Sequence, residues 1–268
     1  KSLYKTEKMV KYKHKKWPGG GKIYGRGKKI ERLRAILDAS AYTVILSGSG
    51  MMAECGYMGM KTPEKAYEIE KTYGVSPEDI FTSVYYNNRP AEFFKFYRDE
   101  VLQGDVDTSD TFRVAARMEQ KGKLKCIITG NIYGYPQKAG CRNVINLHGS
   151  IHENICPHCG RKYPLEYIRA SKKVPLCEDC SRVIRPQVAL FGEMMDSQLM
   201  TRATWEIENA DTLILLGTTL DSEVFSKYIK YFDGTNLVII HKEHHHSDSR
   251  ADLVIWDEPR NVFTKLGY

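Results

Sequence analysis

"TGNIYGYPQKAGCRNVINLHGS", residues 129–150, is the stretch from which the rest of the chain can be ordered. It opens at the end of one apolar run, "LKCIITG", and encloses a second, "NVINL". Short apolar runs without alternation mark strands buried on both faces, as in parallel sheets. Asn131 follows the first run and His148 the second, so both are expected just beyond strand ends. Tyr133 stands beside Asn131, where a nucleotide-handling site is expected to carry a carboxylate.

The same rhythm extends in both directions. Upstream, "KKIERLRAILDAS" places Ile30, Leu33 and Leu37 on one helical face, and "YTVILSGSG" is a buried strand breaking into a glycine turn. "MMAECGYMGMKT" has no period and is expected as a loop. Residues 63–103 carry three helical signals, with Pro63 and Pro77 where first turns tolerate proline. "DTFRVAARMEQKG" is an amphipathic helix stopped at Gly122. Downstream, "SQLMTRATWEIENA" and "DSEVFSKYIKYF" are helices, while "DTLILLG", "TNLVII" and "ADLVIWD" are strands. Alternation of this kind predicts an α/β fold, a parallel sheet with helices on both faces. The polar, cysteine-bearing segment 151–186 interrupts it and is too small to build a core without a staple.

Charge is unevenly distributed. Residues 1–29 hold eleven Lys or Arg against Glu7, whereas the whole chain is +7, so the remainder sums to −3. The body is therefore not a basic nucleic-acid surface. The basic N-terminal tail has two readings: a solvated segment, or contact with nucleic acid or another acidic partner. The chain begins at Lys1 rather than Met, from which a missing or processed start is expected. No apolar run approaches a membrane span, so no membrane partner is expected. Seven cysteines, four of them in two CxxC pairs, fit a metal site plus free thiols in a reducing, cytoplasmic setting.

The sharpest motif is "CPHC", seventeen residues, then "CEDC": Cys156, Cys159, Cys177 and Cys180. Four thiolates so spaced suit tetrahedral Zn2+ and leave no position for water, so the zinc is expected to be structural; a redox pair is the alternative, and it rarely comes doubled. "SGSG" at 47–50 and "LGTTL" at 216–220 are glycine turns at strand ends. Either alone is what any tight turn uses; together they point to a dinucleotide in the crevice of the sheet. His148 falls where the two lobes meet, and an imidazole there can act as a base near neutral pH or be an ordinary satisfied polar residue. "HKEHHHSDSR" at 241–250 is expected to be a solvated loop, with adventitious metal as the alternative, because three adjacent histidines do not converge on one ion unaided. Cys55, Cys126 and Cys141 have no base beside them and are read as small core or near-surface thiols.

"TGNIYGYPQKAG" with "VINLHGS", the double CxxC, "IRPQVALFGE", "DTLILLGTTL" and "NLVIIHK…DSRADLVI" together resemble the sirtuins, NAD-dependent protein deacylases, over residues 28–266. The resemblance implies a Rossmann-like NAD-binding domain at 28–150 and 187–268, a zinc-binding lobe at 151–186, and the tail at 1–27 outside it. It implies that NAD and an acylated lysine peptide enter the cleft between the lobes, that His148 is the base and that Asn131 positions the nicotinamide ribose or a water. Gly48, Ser49 and Gly50 are then expected by the phosphates, Gly130, Ile132 and Tyr133 by the nicotinamide, and Gly217, Thr218 and Thr219 on the adenosine side. Val188, Phe191, Gly192 and Glu193 are expected to line the acyl-lysine tunnel, their backbone pairing with an extended peptide.

Four motifs depart from the family pattern. Its Gly-Ala-Gly is Gly-Ser-Gly here; its Pro-Asp-Phe-Arg stretch is Met58, Gly59, Met60 and Lys61; the aspartate that accepts from the nicotinamide amide is Tyr133; and an asparagine on the adenine ribose is His241. The implied activity is deacylation with release of nicotinamide and O-acyl-ADP-ribose. The departures leave open an ADP-ribosyltransferase or NAD-cleaving enzyme on the same scaffold, and a module that binds NAD, ADP-ribose or acyl-lysine without turnover.

Overall fold

Six apolar runs build the sheet that the alternation predicts. The computed structural model describes residues 25–268; the basic segment 1–24, with nearly all of the tail reading, lies outside the described residues. The strands are β1 (Thr43–Ser47), β2 (Cys126–Thr129), β3 (Val144–Asn146), β4 (Gly149–Ile155), β5 (Lys162–Tyr163), β6 (Arg185–Val188), β7 (Thr212–Leu216), β8 (Asn236–His241) and β9 (Leu253–Trp256). Six form one sheet in the order β3-β2-β1-β7-β8-β9, every pair parallel.

Every residue of β1 and β7 is buried, the pattern required when both faces are covered. Alternate side chains enter two cores. Ile45 and Ile127 face one with Leu33 and Leu37 of the helix Arg26–Ala39, Phe112 of the helix Asp110–Gln120 and Phe263 near the C-terminus. Val44, Leu46, Leu213 and Leu215 face the other with Ile207 of the helix Ser197–Glu208 and Tyr228. The strand order reverses between β1 and β7, so the loops leaving these neighbours diverge and open a crevice at their carboxyl ends.

Differences from the sequence reading are local. "GMMAE" at 50–54 is a short helix rather than loop. The helical signal after Pro77 breaks into Pro77–Ile80 and Ser83–Asn88, the second capped by Thr82, whose hydroxyl accepts from the Tyr85 N–H. Of "DSEVFSKYIKYF" only Ser226–Ile229 is helical. The cysteine segment leaves along β4 and returns along β6; β4 is the centre of a three-stranded sheet, antiparallel to β5 on one side and to β6 on the other. Its apolar residues Ile151, Leu165, Ile168 and Ile184 join the core beneath Phe94 and Tyr97 instead of forming one of their own. Asp105 ties the two parts together, accepting from Lys138 at 2.5 Å and from Arg169 of the segment at 2.6 Å.

Candidate active site

The two glycine turns meet at the point where the strand order reverses. Gly48 N–H donates to Leu216 O at 2.9 Å and Gly50 N–H to Gly217 O at 3.0 Å. A side-chain carbon at Gly50 would sit 2.8 Å from Gly217 O, and Gly217 itself has φ +57°. These glycines are therefore required for backbone against backbone, and the two N–H groups are already spent there. Ser49 between them is exposed, as a ligand contact requires, and Thr218 and Thr219 are partly exposed beside it.

Asn131, at the end of β2, is buried to 8% exposure. Its Oδ1 accepts the Tyr133 N–H at 3.0 Å, which fixes the amide's orientation, and its own N–H donates to Thr129 Oγ1 at 3.0 Å. The Nδ2 donor has no hydrogen-bond partner among the described residues. An unmet buried donor costs about 1–3 kcal/mol, so a ligand acceptor at this point gains that much. Ser47 Oγ, at the end of β1, is also buried without a partner among the described residues. Two unmet polar groups and an exposed serine at adjoining strand ends fit a sugar-phosphate ligand such as a dinucleotide.

His148 follows β3 and precedes β4. Its Nδ1 lies 2.9 Å from Gly130 O, which is an acceptor only, so Nδ1 carries the proton and Nε2 presents a lone pair. Burial holds its pKa below the ordinary 6.5; the Gly130 hydrogen bond opposes this, and Lys227 and Lys61 add to the lowering. The imidazole is thus a neutral base at neutral pH. The backbone carbonyl of His148 accepts the Ala189 N–H at 2.9 Å, which ties the base to the 188–193 segment.

Three side chains differ from the sequence reading. The Tyr133 ring was expected at a nicotinamide amide; it is 2% exposed, stacked on Tyr135 at 5.5 Å and edge-on to Tyr57 at 5.2 Å. Gly104 makes the room, since a side chain there would collide with the ring. Burial pushes its phenol far above the ordinary range, so it stays neutral. His241 was expected on a ribose; it is buried, with Nε2 3.1 Å from Asp248 Oδ2. Glu193 was expected to line a tunnel; its carboxylate takes two hydrogen bonds from Arg185, at 2.7 and 2.8 Å, and one from the Leu190 N–H.

Of the remaining substrate candidates, Val188 is buried at the end of β6, Gly192 turns at φ +85°, and Phe191 is exposed at 36%. The backbone pairing expected for this segment meets an obstacle: the N–H groups of Ala189, Leu190, Phe191 and Glu193 already donate to His148 O, Glu193 Oε2, Phe81 O and Leu190 O. Phe191 and Gly192 instead line a cavity of about 540 Å³ together with Asp79, Thr82, Val84 and Arg89, Thr82 being bridged to Phe191 along the backbone. Lys61 lies 4.4 Å above the Phe191 ring. Lys61 and Lys227 are the charges facing His148; the sequence reading gave Lys227 no role because nothing local marks a lysine on a one-turn helix as neighbour to residue 148.

The four cysteine sulfurs converge. Cys156 and Cys180 Sγ are 3.4 Å apart, Cys159 and Cys177 3.5 Å, and Cys159 and Cys180 3.9 Å. A tetrahedron with Zn–S of about 2.3 Å has edges of about 3.8 Å, so the set fits Zn2+ and no fifth ligand is needed. The knuckles are near copies: Gly160 N–H donates to Cys156 O and Ser181 N–H to Cys177 O, with Gly160 at φ +77° and Ser181 at φ +56°. Tyr163 hydroxyl donates to Cys177 Sγ at 3.1 Å, the kind of outer contact that steadies a thiolate. Away from this cluster, burial pushes the Cys55 thiol up to about 11 and Cys141 to about 12, which leaves both inert.

A doubly wound parallel sheet, with its switch-point crevice faced by one free imidazole and a four-thiolate lobe alongside, defines a nucleotide-binding α/β protein of the Rossmann-like type. Residues 48–224 match the Sir2 family. An NAD-dependent protein deacetylase of Clostridium acetobutylicum is 35% identical over 230 residues, covering 85% of this chain and 94% of the relative. One from Cutibacterium acnes is 37% identical over 227 residues, covering 85% and 93%. Among solved structures, a sirtuin studied for substrate affinity superposes with a TM-score of 0.81 at 27% identity, over 88% of this chain and 97% of that one. A Sir2 homologue in complex with NAD gives 0.77 at 26%, over 88% and 91%. The chain belongs to the Sir2 family.

Proposed function

We propose that this chain is an NAD-dependent protein-lysine deacylase, transferring an acyl group from lysine to ADP-ribose with release of nicotinamide. The observation that carries the proposal is His148: one ring nitrogen is fixed by Gly130 O, the other has no hydrogen-bond partner among the described residues, and Gly130 is the chain neighbour of Asn131, whose Nδ2 is unmet. When bound, NAD supplies the ribose carbon that accepts the acyl oxygen and the nicotinamide that leaves. Ser49, Gly130, Ile132 and the Gly217–Thr219 turn are the residues proposed to hold it, with Asn131 Nδ2 donating to a sugar or amide oxygen. Nε2 of His148 takes a proton from a ribose hydroxyl, and Gly130 O stabilises the imidazolium that results. Lys61 and Lys227 favour the neutral base beforehand and complement phosphate charge.

The relatives named as NAD-dependent deacetylases support the reaction class, and a Sir2 structure bound to an acetylated peptide supports an acyl-lysine substrate. Val188 and Phe191 are proposed to flank the acyl-lysine, with the neighbouring cavity taking residues next to it. Cys156, Cys159, Cys177 and Cys180 would hold a zinc whose chemistry is structural, leaving the reaction to organic groups. Unpaired Cys126 and Cys141 suit a reducing, cytoplasmic setting, and among the described residues no helix is long and apolar enough to cross a membrane.

The test is incubation with NAD and acyl-lysine peptides of several chain lengths, following nicotinamide and deacylated peptide together. Equal amounts of both are expected. Nicotinamide without deacylated peptide would replace the proposal by NAD cleavage or ADP-ribosyl transfer, and neither product, with ADP-ribose still bound, by a binding module.

A further inference from the structure

The histidine-rich loop acquires from the fold a ligand that its sequence lacks. Asp221 belongs to the loop after β7, and His245 and His246 to the loop after β8; these are parallel neighbours, so their carboxyl-end loops lie side by side. One carboxylate oxygen and one ring nitrogen from each histidine all fall within 4.8 Å of one another. We propose that Asp221, His245 and His246 form a binding site for a divalent first-row transition metal, separate from the four thiolates.

The donor set is two imidazoles and one carboxylate, which suits zinc, nickel, copper, cobalt or iron and not the all-oxygen preference of magnesium or calcium. His246 Nε2 and Asp221 Oδ2 are 3.0 Å apart. Two ligands at about 2.1 Å from one ion and at right angles to each other are about 3.0 Å apart, so this edge of the site needs no rearrangement. The His245 and His246 rings lie 4.1 Å apart, close enough to serve the same ion.

Outer contacts are in place as well. Arg250 donates to Asp221 Oδ1 at 2.5 Å, orienting the carboxylate and leaving Oδ2 to the ion. Ser247 Oγ is 2.7 Å from His245 Nδ1. With the proton on Nδ1 and donated to that hydroxyl, Nε2 is the nitrogen open to metal; the longer 3.3 Å contact from Ser247 N–H is then given up. His241 takes no part, being held by Asp248, and His244 packs against Trp256 at 5.2 Å. Asp221 and His246 are exposed, so an ion enters without opening the fold.

The test uses the whole chain with its zinc retained, verified by elemental analysis, and Ni2+ as titrant in calorimetry. One saturable equivalent of Ni2+ is expected. Asp221→Asn and His246→Gln should each weaken it by at least the about 10- to 100-fold that even outer contacts cost, while His244→Ala leaves it unchanged. Circular dichroism melts confirm that the variants fold. With Co2+ as second probe, weak visible bands without intense thiolate absorption are expected, since no sulfur is a ligand. Absence of saturable binding, equal loss in His244→Ala, or indifference to Asp221→Asn would each overturn the site.

Discussion

His148 and His241 both stand at the carboxyl ends of strands of one sheet, and they are put to opposite uses. His148 has a neutral backbone carbonyl on one nitrogen and, among the described residues, no hydrogen-bond partner on the other. His241 meets the carboxylate of Asp248, which also accepts from Trp256 Nε1 at 2.8 Å and the His245 N–H at 3.0 Å. Burial works against the Asp248 charge, but those hydrogen bonds outweigh it and hold its carboxyl below the usual range. His241 is buried with Nε2 held by Asp248 and clamps the β8–β9 loop; His148 is partly exposed and keeps Nε2 open to take a proton. A ring nitrogen that is both unengaged and open to the outside, as in part-exposed His148, separates it from His241, which is shut from solvent.

Exchanging or deleting each partner tests this contrast. His148→Ala should lower deacylation by about 10²- to 10⁴-fold, the range for loss of a general base, with an unchanged melting temperature. Retained activity would make His148 no more catalytic than His241. Asp248→Ala should do the reverse, costing about 2–3 kcal/mol in denaturant unfolding because buried donors lose their acceptor, while activity per folded molecule holds. Asn131→Ala removes the unmet donor at the end of β2, and a loss of about 1–2 kcal/mol in NAD affinity is expected by titration. The smallest effect is that of Lys227→Met. Lys227 helps keep His148 neutral, so its removal should move the acid limb of the rate profile to higher pH.

Much of the fold was legible because buried parallel strands leave a plain signature: all six runs, from "YTVILS" to "ADLVIW", became strands of one sheet. The four cysteines were legible because their spacing alone implies convergence. Helix boundaries between residues 77 and 104 were not, since Phe93, Phe94, Phe96 and Tyr97 are all fully buried and give no amphipathic period to read. The site was legible at the level of which loops meet, not of where side chains turn. Tyr133 faces inward because Gly104, about thirty residues earlier, leaves room for its ring, and Glu193 is engaged because Arg185 lies across the turn. Asp221 joins His245 and His246 only through the register of β7 and β8. None of these pairings has a local sequence signal.

The most direct measurement is the pH dependence of kcat/KM for deacylation, in the wild type and in His148→Ala. An imidazole whose pKa is depressed in the folded protein stays neutral to lower pH, so wild-type activity should persist as pH falls through 6.5 and decline only below it. The residual activity of the variant should show no such limb. An acid limb above 6.5 in the wild type, or the same limb in both proteins, would contradict the assignment of the base.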